Sequence, residues 1–174
     1  MTCLSPVPPR WSSAKAAEVS ERLDPELKFL AAVALHFDRT LSIGETPEGI
    51  KLAYQLQGAI EGPVLNGHFM SCAASLLINR DGVGLLSAYA LVQLADGAMV
   101  ELEAAGRCDF GEDGYRQAVT GDLSSSALGW GPRFLTAHPR YLWLNRVQCL
   151  GAGQIRLRDK RVDYDLFTVI SSSK

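Results

Sequence analysis

A chain of 174 residues, 47% hydrophobic and 21% charged, is long enough to bury one sizeable core and has the composition of a globular domain. Its net charge of −2 supplies no basic field to hold a phosphate backbone, which argues against a nucleic-acid partner. No apolar run approaches the ~20 residues that carry a helix across a bilayer, so no membrane partner is expected.

Residues 1–26 read as an N-terminal arm. The stretch Met1–Arg10 is proline-rich and lacks the apolar segment of a signal peptide, from which a cytoplasmic location is expected. Ser12–Leu23 suits a short helix with Ser12 or Ser13 as N-cap, and Asp24-Pro25 stops it. Residues 27–170 read as one β domain. In a run from Leu27 to Asp38, Phe29, Ala31, Val33, Leu35 and Phe37 share one face, as in a strand. Ile50–Leu56 forms a second strand, and the Gly/Pro-rich stretch Gly58–Gly67 predicts a bend or bulge. His68–Ile78 follows. Asn79-Arg80-Asp81-Gly82 is a hairpin signal, Val83–Leu94 is β-leaning, Asp96-Gly97 turns the chain, and Met99–Arg107 returns it.

Cys108–Pro132 is polar and rich in glycine and acidic residues, and a connection of that length predicts a lid, a binding loop or a disordered excursion. Pro139–Val147 alternates strictly, placing Tyr141, Trp143, Asn145 and Val147 on one face of an expected strand and Leu142, Leu144 and Arg146 on the other. Two large aromatics and an amide on one face, with leucines on the other, describe a strand covered on both sides, as in a barrel with an occupied interior. Gly151-Ala152-Gly153 makes another turn, and Arg161–Ile170 closes the sheet. The sum is all-β: an antiparallel barrel of roughly eight to ten strands, with a short N-terminal helix or arm.

The four cysteines Cys3, Cys72, Cys108 and Cys149 are scattered and have no histidine at ligand spacing, so they read as reduced apolar residues, with no metal expected. Gly-x-Ser-x-Gly, Gly-x-Gly-x-x-Gly, Walker and His-Glu-x-x-His patterns are all absent, and no cofactor is expected.

The order of short motifs is more specific. Leu41–Gly49, Gly58–Gly67, Arg80-Asp81-Gly82, Asp96-Gly97-Ala98, Phe134-Leu135-Thr136 and Arg140–Arg146 stand in the register of a bacterial and fungal family, the domain of unknown function 3237, which the chain resembles over about Leu27–Val169. The resemblance implies a compact β-barrel, often near genes of aromatic degradation or natural-product biosynthesis, and no settled activity. In one place the chain departs from it. The family pattern carries Asp-Trp where this chain has Ser75 and Leu76, a loss of a carboxylate and an indole that is expected to enlarge the pocket and make it more apolar.

What remains for chemistry is acid–base work by single side chains. His68 and His138 are the better placed of three histidines as base or acid, ahead of His36, and Glu61 sits in the Gly/Pro bend. Each competes with an ordinary surface or hydrogen-bonding role. Tyr141, Trp143 and Asn145 are expected pocket walls, joined by Tyr89 and by Glu103 and Arg107 if the polar face of their strand points inward. Tyr54 shares the ambiguity of Tyr89. The leading reading is a cofactor-independent isomerase, dehydratase, cyclase or other lyase-type enzyme acting on a hydrophobic, aromatic or polyketide-like small molecule in the barrel interior. A non-catalytic carrier for the same class of ligand is the alternative, and a homodimer is left open.

Overall fold

The computed structural model describes residues 25–170, so the helix expected over Ser12–Leu23 lies outside the described residues. Eight strands follow in chain order: β1 (Glu26–Glu45), β2 (Gly49–Glu61), β3 (Gly67–Asn79), β4 (Val83–Leu94), β5 (Met99–Asp109), β6 (Ser125–Leu135), β7 (Cys149–Arg156) and β8 (Arg161–Ile170). Each pairs antiparallel with the next, and β1 also pairs with β8, closing the barrel and removing its edges. The short helix α1 (Gly114–Thr120) lies between β5 and β6, and a 3-10 helix (Pro139–Arg146) lies between β6 and β7.

Local chemistry sets the connections. At the β3–β4 hairpin Gly82 adopts φ +83°, and a side chain there would run into the Gly111 carbonyl at 1.8 Å, so only glycine fits. The β4–β5 turn uses Gly97 at φ +84°, with the Asp96 carboxylate accepting the Ala98 amide at 3.3 Å. The glycine-rich bend appears as a register shift between Gln55 and Ala59 in β2, followed by the turn before β3.

The strands alternate. Leu35, Leu56, Leu76, Leu86, Leu102, Ile155 and Leu166 point inward and are buried. An eight-stranded barrel encloses a volume that side chains can just fill, and here they fill it by size matching. Trp130 packs edge-on against Tyr164, ring centroids 4.7 Å apart, while Phe37 stacks on Tyr54 at 4.5 Å. Glycines flank Trp130 on the two neighbouring strands: a Cβ at Gly106 would meet the Trp130 Cβ at 2.2 Å and one at Gly151 would meet the indole Nε1 at 2.1 Å. The residual cavity is about 20 Å³, room for a single water. The expected ligand chamber inside the barrel is therefore corrected: side chains occupy that space.

Two local expectations are also corrected. Pro139–Val147 is not a strand. Proline occupies the first turn of the 3-10 helix, and the buried residues Tyr141 and Leu144 fall three apart, the repeat of that helix. Leu142 and Asn145 are exposed, so the apparent alternation carried no burial. Nor is Cys108–Pro132 one long loop. Its start finishes β5, its centre forms α1, and from Ser125 it is β6, where Ser126, Leu128, Trp130, Pro132 and Phe134 point inward. Pro132 is tolerated because the β6–β7 ladder ends at Trp130–Gly151, so no β7 partner awaits its missing N–H. No helix among the described residues is long and apolar enough to cross a membrane.

Candidate functional site

A barrel with a packed interior must present any site on its outer face or at its ends. The outer face of β3–β6 is concave for a simple reason. Ser75, Ser87, Ala105 and Gly131 pair across four successive strands, making a row of small residues. The adjacent row is Ala73, Tyr89, Glu103 and Arg133, whose larger side chains stand up as a wall. The result is a groove of about 620 Å³ lined by both rows, within the range of small-molecule sites.

Polar groups in and beside the groove are coupled in pairs. Arg133 Nη2 donates to Glu103 Oε2 at 2.6 Å, and Tyr89 Oη donates to Glu101 Oε2 at 2.9 Å. Lys51, on β2, reaches over the floor and donates to Ser75 Oγ at 3.1 Å, and Ser75 Oγ lies 2.9 Å from Ser87 Oγ. The hydrogen bond to Glu101, then desolvation, raise the pKa of Tyr89 and hold the phenol protonated.

The structure brings together only part of the expected site. Tyr89 and Glu103 line the same groove. Arg107 lies on the same outward face, and Glu103 pairs with Arg133 rather than with Arg107, so of the two orientations left open for this strand the polar face takes the outward one. Glu61 projects outward into a separate groove of about 440 Å³ on the β1–β2–β7–β8 side, near Arg156, Arg161, Asp163 and Asp165. There Asp163 holds both arginines, at 2.7 Å from Arg161 Nε. His68 and His36 are exposed on the barrel wall and join no site. Tyr54 points into the core.

The aromatic segment disperses its side chains. Trp143 lines a hollow of about 570 Å³ at the barrel end with Val64, Val147 and Val169. Asn145 is structural: its Oδ1 accepts the Thr136 amide and its Nδ2 donates to the Thr136 carbonyl, both at 2.9 Å. Tyr141 is buried and donates to Asp96 Oδ2 at 2.9 Å, with Arg140 at 3.3 Å from the same oxygen and the His138 ring 5.5 Å from the Tyr141 ring. These groups pin the 3-10 helix to the β4–β5 turn. The Tyr141 hydrogen bond lowers the Asp96 pKa. A carboxylate depressed in the folded state contributes stability above its unfolded pKa, and that contribution disappears as pH falls through the folded value. Tyr141→Phe should therefore flatten the acid limb of a melting-temperature profile below about pH 4, as scanning calorimetry across pH 2–6 would show.

The buried thiols are inert. Burial pushes the pKa values of Cys72 and Cys108 up to about 12 and of Cys149 to about 11, so none of these three supplies a thiolate nucleophile at neutral pH. Among the described residues no three His, Cys, Asp or Glu side chains gather into a metal-binding group.

Arg133, Lys51 and the serine pair escape a reading of local motifs. The signal that exposes them is non-local: small residues at the outward positions of successive strands.

A family model described as "Protein of unknown function (DUF3237)" matches residues 25–169. No curated protein matches the chain. Among solved structures, a conserved protein of unknown function from Rhodopseudomonas palustris is 23% identical with a TM-score of 0.74, over 84% of this chain and 99% of that one. A beta-barrel like protein from Acinetobacter baumannii is 23% identical with a TM-score of 0.73, over 87% and 99%. A protein described as an enzyme, from Penicillium herquei, is 22% identical with a TM-score of 0.64, over 87% and 98%. At these identities the likeness is one of fold.

Proposed function

Since the chain belongs to the family described as protein of unknown function (DUF3237), its activity has to be read from its own side chains, and we propose that the β3–β6 outer groove binds a hydrophobic, aromatic or polyketide-like small molecule and moves its protons without a cofactor. One observation carries this reading: Tyr89, Glu103 and Arg133 stand in one row at the wall of a 620 Å³ groove whose floor is alanine, glycine and serine. A flat molecule resting on that floor meets the Tyr89 ring at its edge. Glu103 is the base: its carboxylate takes a proton from a carbon beside a carbonyl or from a hydroxyl. Arg133 fixes the Glu103 carboxylate and offers its remaining N–H donors to the oxygen on which charge develops. Tyr89, its hydroxyl turned from Glu101 onto the substrate, donates a hydrogen bond to that oxygen, and the proton taken by Glu103 is returned to the product carbon or to a departing hydroxyl. Isomerisation, dehydration and ring closure all fit this arrangement, and none changes the oxidation balance of the substrate.

The description of a fold relative as an enzyme supports the idea that this barrel can carry chemistry. The groove's openness favours a second reading, a carrier for the same ligands. Tyr89 is 45% exposed, and a wet site stabilises developing charge less well than a closed one. Incubation of the protein with a panel of aromatic and polyketide-like compounds, followed by mass spectrometry and chromatography, separates the readings. A new isomer, or a product lighter by water, that is lost in Glu103→Gln supports the enzyme. Binding that leaves every compound unchanged supports the carrier and contradicts catalysis.

A further inference from the structure

Hydrogen-bond counting along the groove floor leaves one donor unused. The Lys51 ammonium carries only donors, so at 3.1 Å Ser75 Oγ must be the acceptor. Ser75 and Ser87, 2.9 Å apart, then share one bond. If Ser75 donates to Ser87, the Ser87 hydrogen is free; if Ser87 donates, the Ser75 hydrogen is free. Either direction leaves one hydroxyl hydrogen, polarised by the lysine behind it, on the floor of a groove.

The charges around that donor are uneven. Glu103 is neutralised by Arg133, whereas Lys51 forms no ion pair among the described residues. Lys51, Leu77, Leu85 and Arg107 pair in one row on the side of the floor away from the Ala73–Tyr89–Glu103–Arg133 wall. Arg107 likewise forms no ion pair among the described residues. The row beyond the floor thus carries two uncompensated cations, of which Lys51 reaches the groove through Ser75, while the opposite wall is an internally paired acid–base row. Ser75 is neutral, so its hydrogen bond leaves the Lys51 ammonium charge uncompensated.

We propose that the groove, read as the small-molecule site above, selects substrates bearing an anionic oxygen, a carboxylate or an acidic phenolate, seated on the Lys51–Ser75–Ser87 chain while the apolar body extends over Ala105 and Gly131 toward Tyr89 and Glu103. The substrate class is thus a hydrophobic organic acid. The serine pair supplies direction and the lysine supplies charge, and the acid group fixes which carbon of the body reaches Glu103.

Titration calorimetry at low ionic strength with two matched probes, 2-naphthoate and its methyl ester, tests this. The wild-type protein should bind the acid about tenfold more tightly than the ester, and added salt should narrow the gap. Lys51→Met and Ser75→Asp should each erase the acid preference, lowering affinity for the acid more than for the ester. A third variant, Gly131→Leu, occludes the floor at a site where an added Cβ meets only Gln148 Nε2, at 3.7 Å; it should abolish binding of both probes. Equal binding of acid and ester by the wild type, with loss of both in Gly131→Leu, would overturn the anion assignment and keep the groove. Binding of both probes unaffected by Gly131→Leu would overturn the groove itself. Absence of binding by either probe at millimolar concentration would also count against the proposal.

Discussion

Replacing Trp130 with alanine should cost about 3–5 kcal/mol of folding stability and lower the melting temperature by about 10 °C or more. The indole is 7% exposed, stands edge-on to Tyr164, and lies over Gly151, where a side chain would collide with it. Its removal opens a void that Gly151 cannot close, because it has no side-chain atoms to move into it. Trp130→Phe should cost less, about 1–2 kcal/mol. It retains a ring and removes an indole N–H that has no partner among the described residues. Chemical denaturation of both variants measures the difference. A loss below 1 kcal/mol for Trp130→Ala would mean that the interior is loosely filled, and would reopen it as a ligand chamber.

The second large effect concerns catalysis. Glu103→Gln should lower turnover about 100-fold or more, the range over which a positioned acid or base contributes, while changing the melting temperature little. The side chain is about half exposed and its principal bond, to Arg133, lies at the surface, where ion pairs contribute little to stability. Glutamine keeps the shape and still accepts from Arg133, so substrate affinity should change less than turnover. Tyr89→Phe should act in the same direction. Turnover unchanged in both variants would remove the acid–base wall from the mechanism.

The architecture was legible because it is written in local periodicity. Residues 27–38 and Met99–Arg107 alternate, Asp81-Gly82 and Asp96-Gly97 carry turn chemistry, and these signals act within a few residues. Two segments misled for identifiable reasons. In Pro139–Arg146 a proline start and a repeat of three overrode an apparent repeat of two. In Ser125–Leu135, Gly129 and Gly131 imitate a loop, although the inward series Ser126, Leu128, Trp130 is regular. The glycines stand on the outer face, where Gly131 forms part of the groove floor. The candidate site was only partly legible because register creates it. Lys51, Ser75, Ser87 and Arg133 come from four strands, and nothing local says that Ser75 pairs with Ser87 or that Glu103 faces Arg133 instead of Arg107. Tyr89 and Glu103 were recovered as candidates only on the condition that they faced the interior, since an outward sheet face usually meets only water. His68 and Glu61 were selected for residue type and proximity to the bend, and the barrel curvature carries them elsewhere.

The central claim is that ligands bind outside the barrel wall, on β3–β6, and not within it. The most direct measurement is a two-dimensional 1H–15N NMR titration of the labelled protein with 2-naphthoate. The account predicts that amide shifts concentrate at residues 73–75, 87–89, 103–105, 131 and 133, with the Trp130 indole resonance unmoved. Shifts centred on the Trp130 indole and the inward residues of β7 and β8, with the groove amides silent, would contradict it and return the site to the interior.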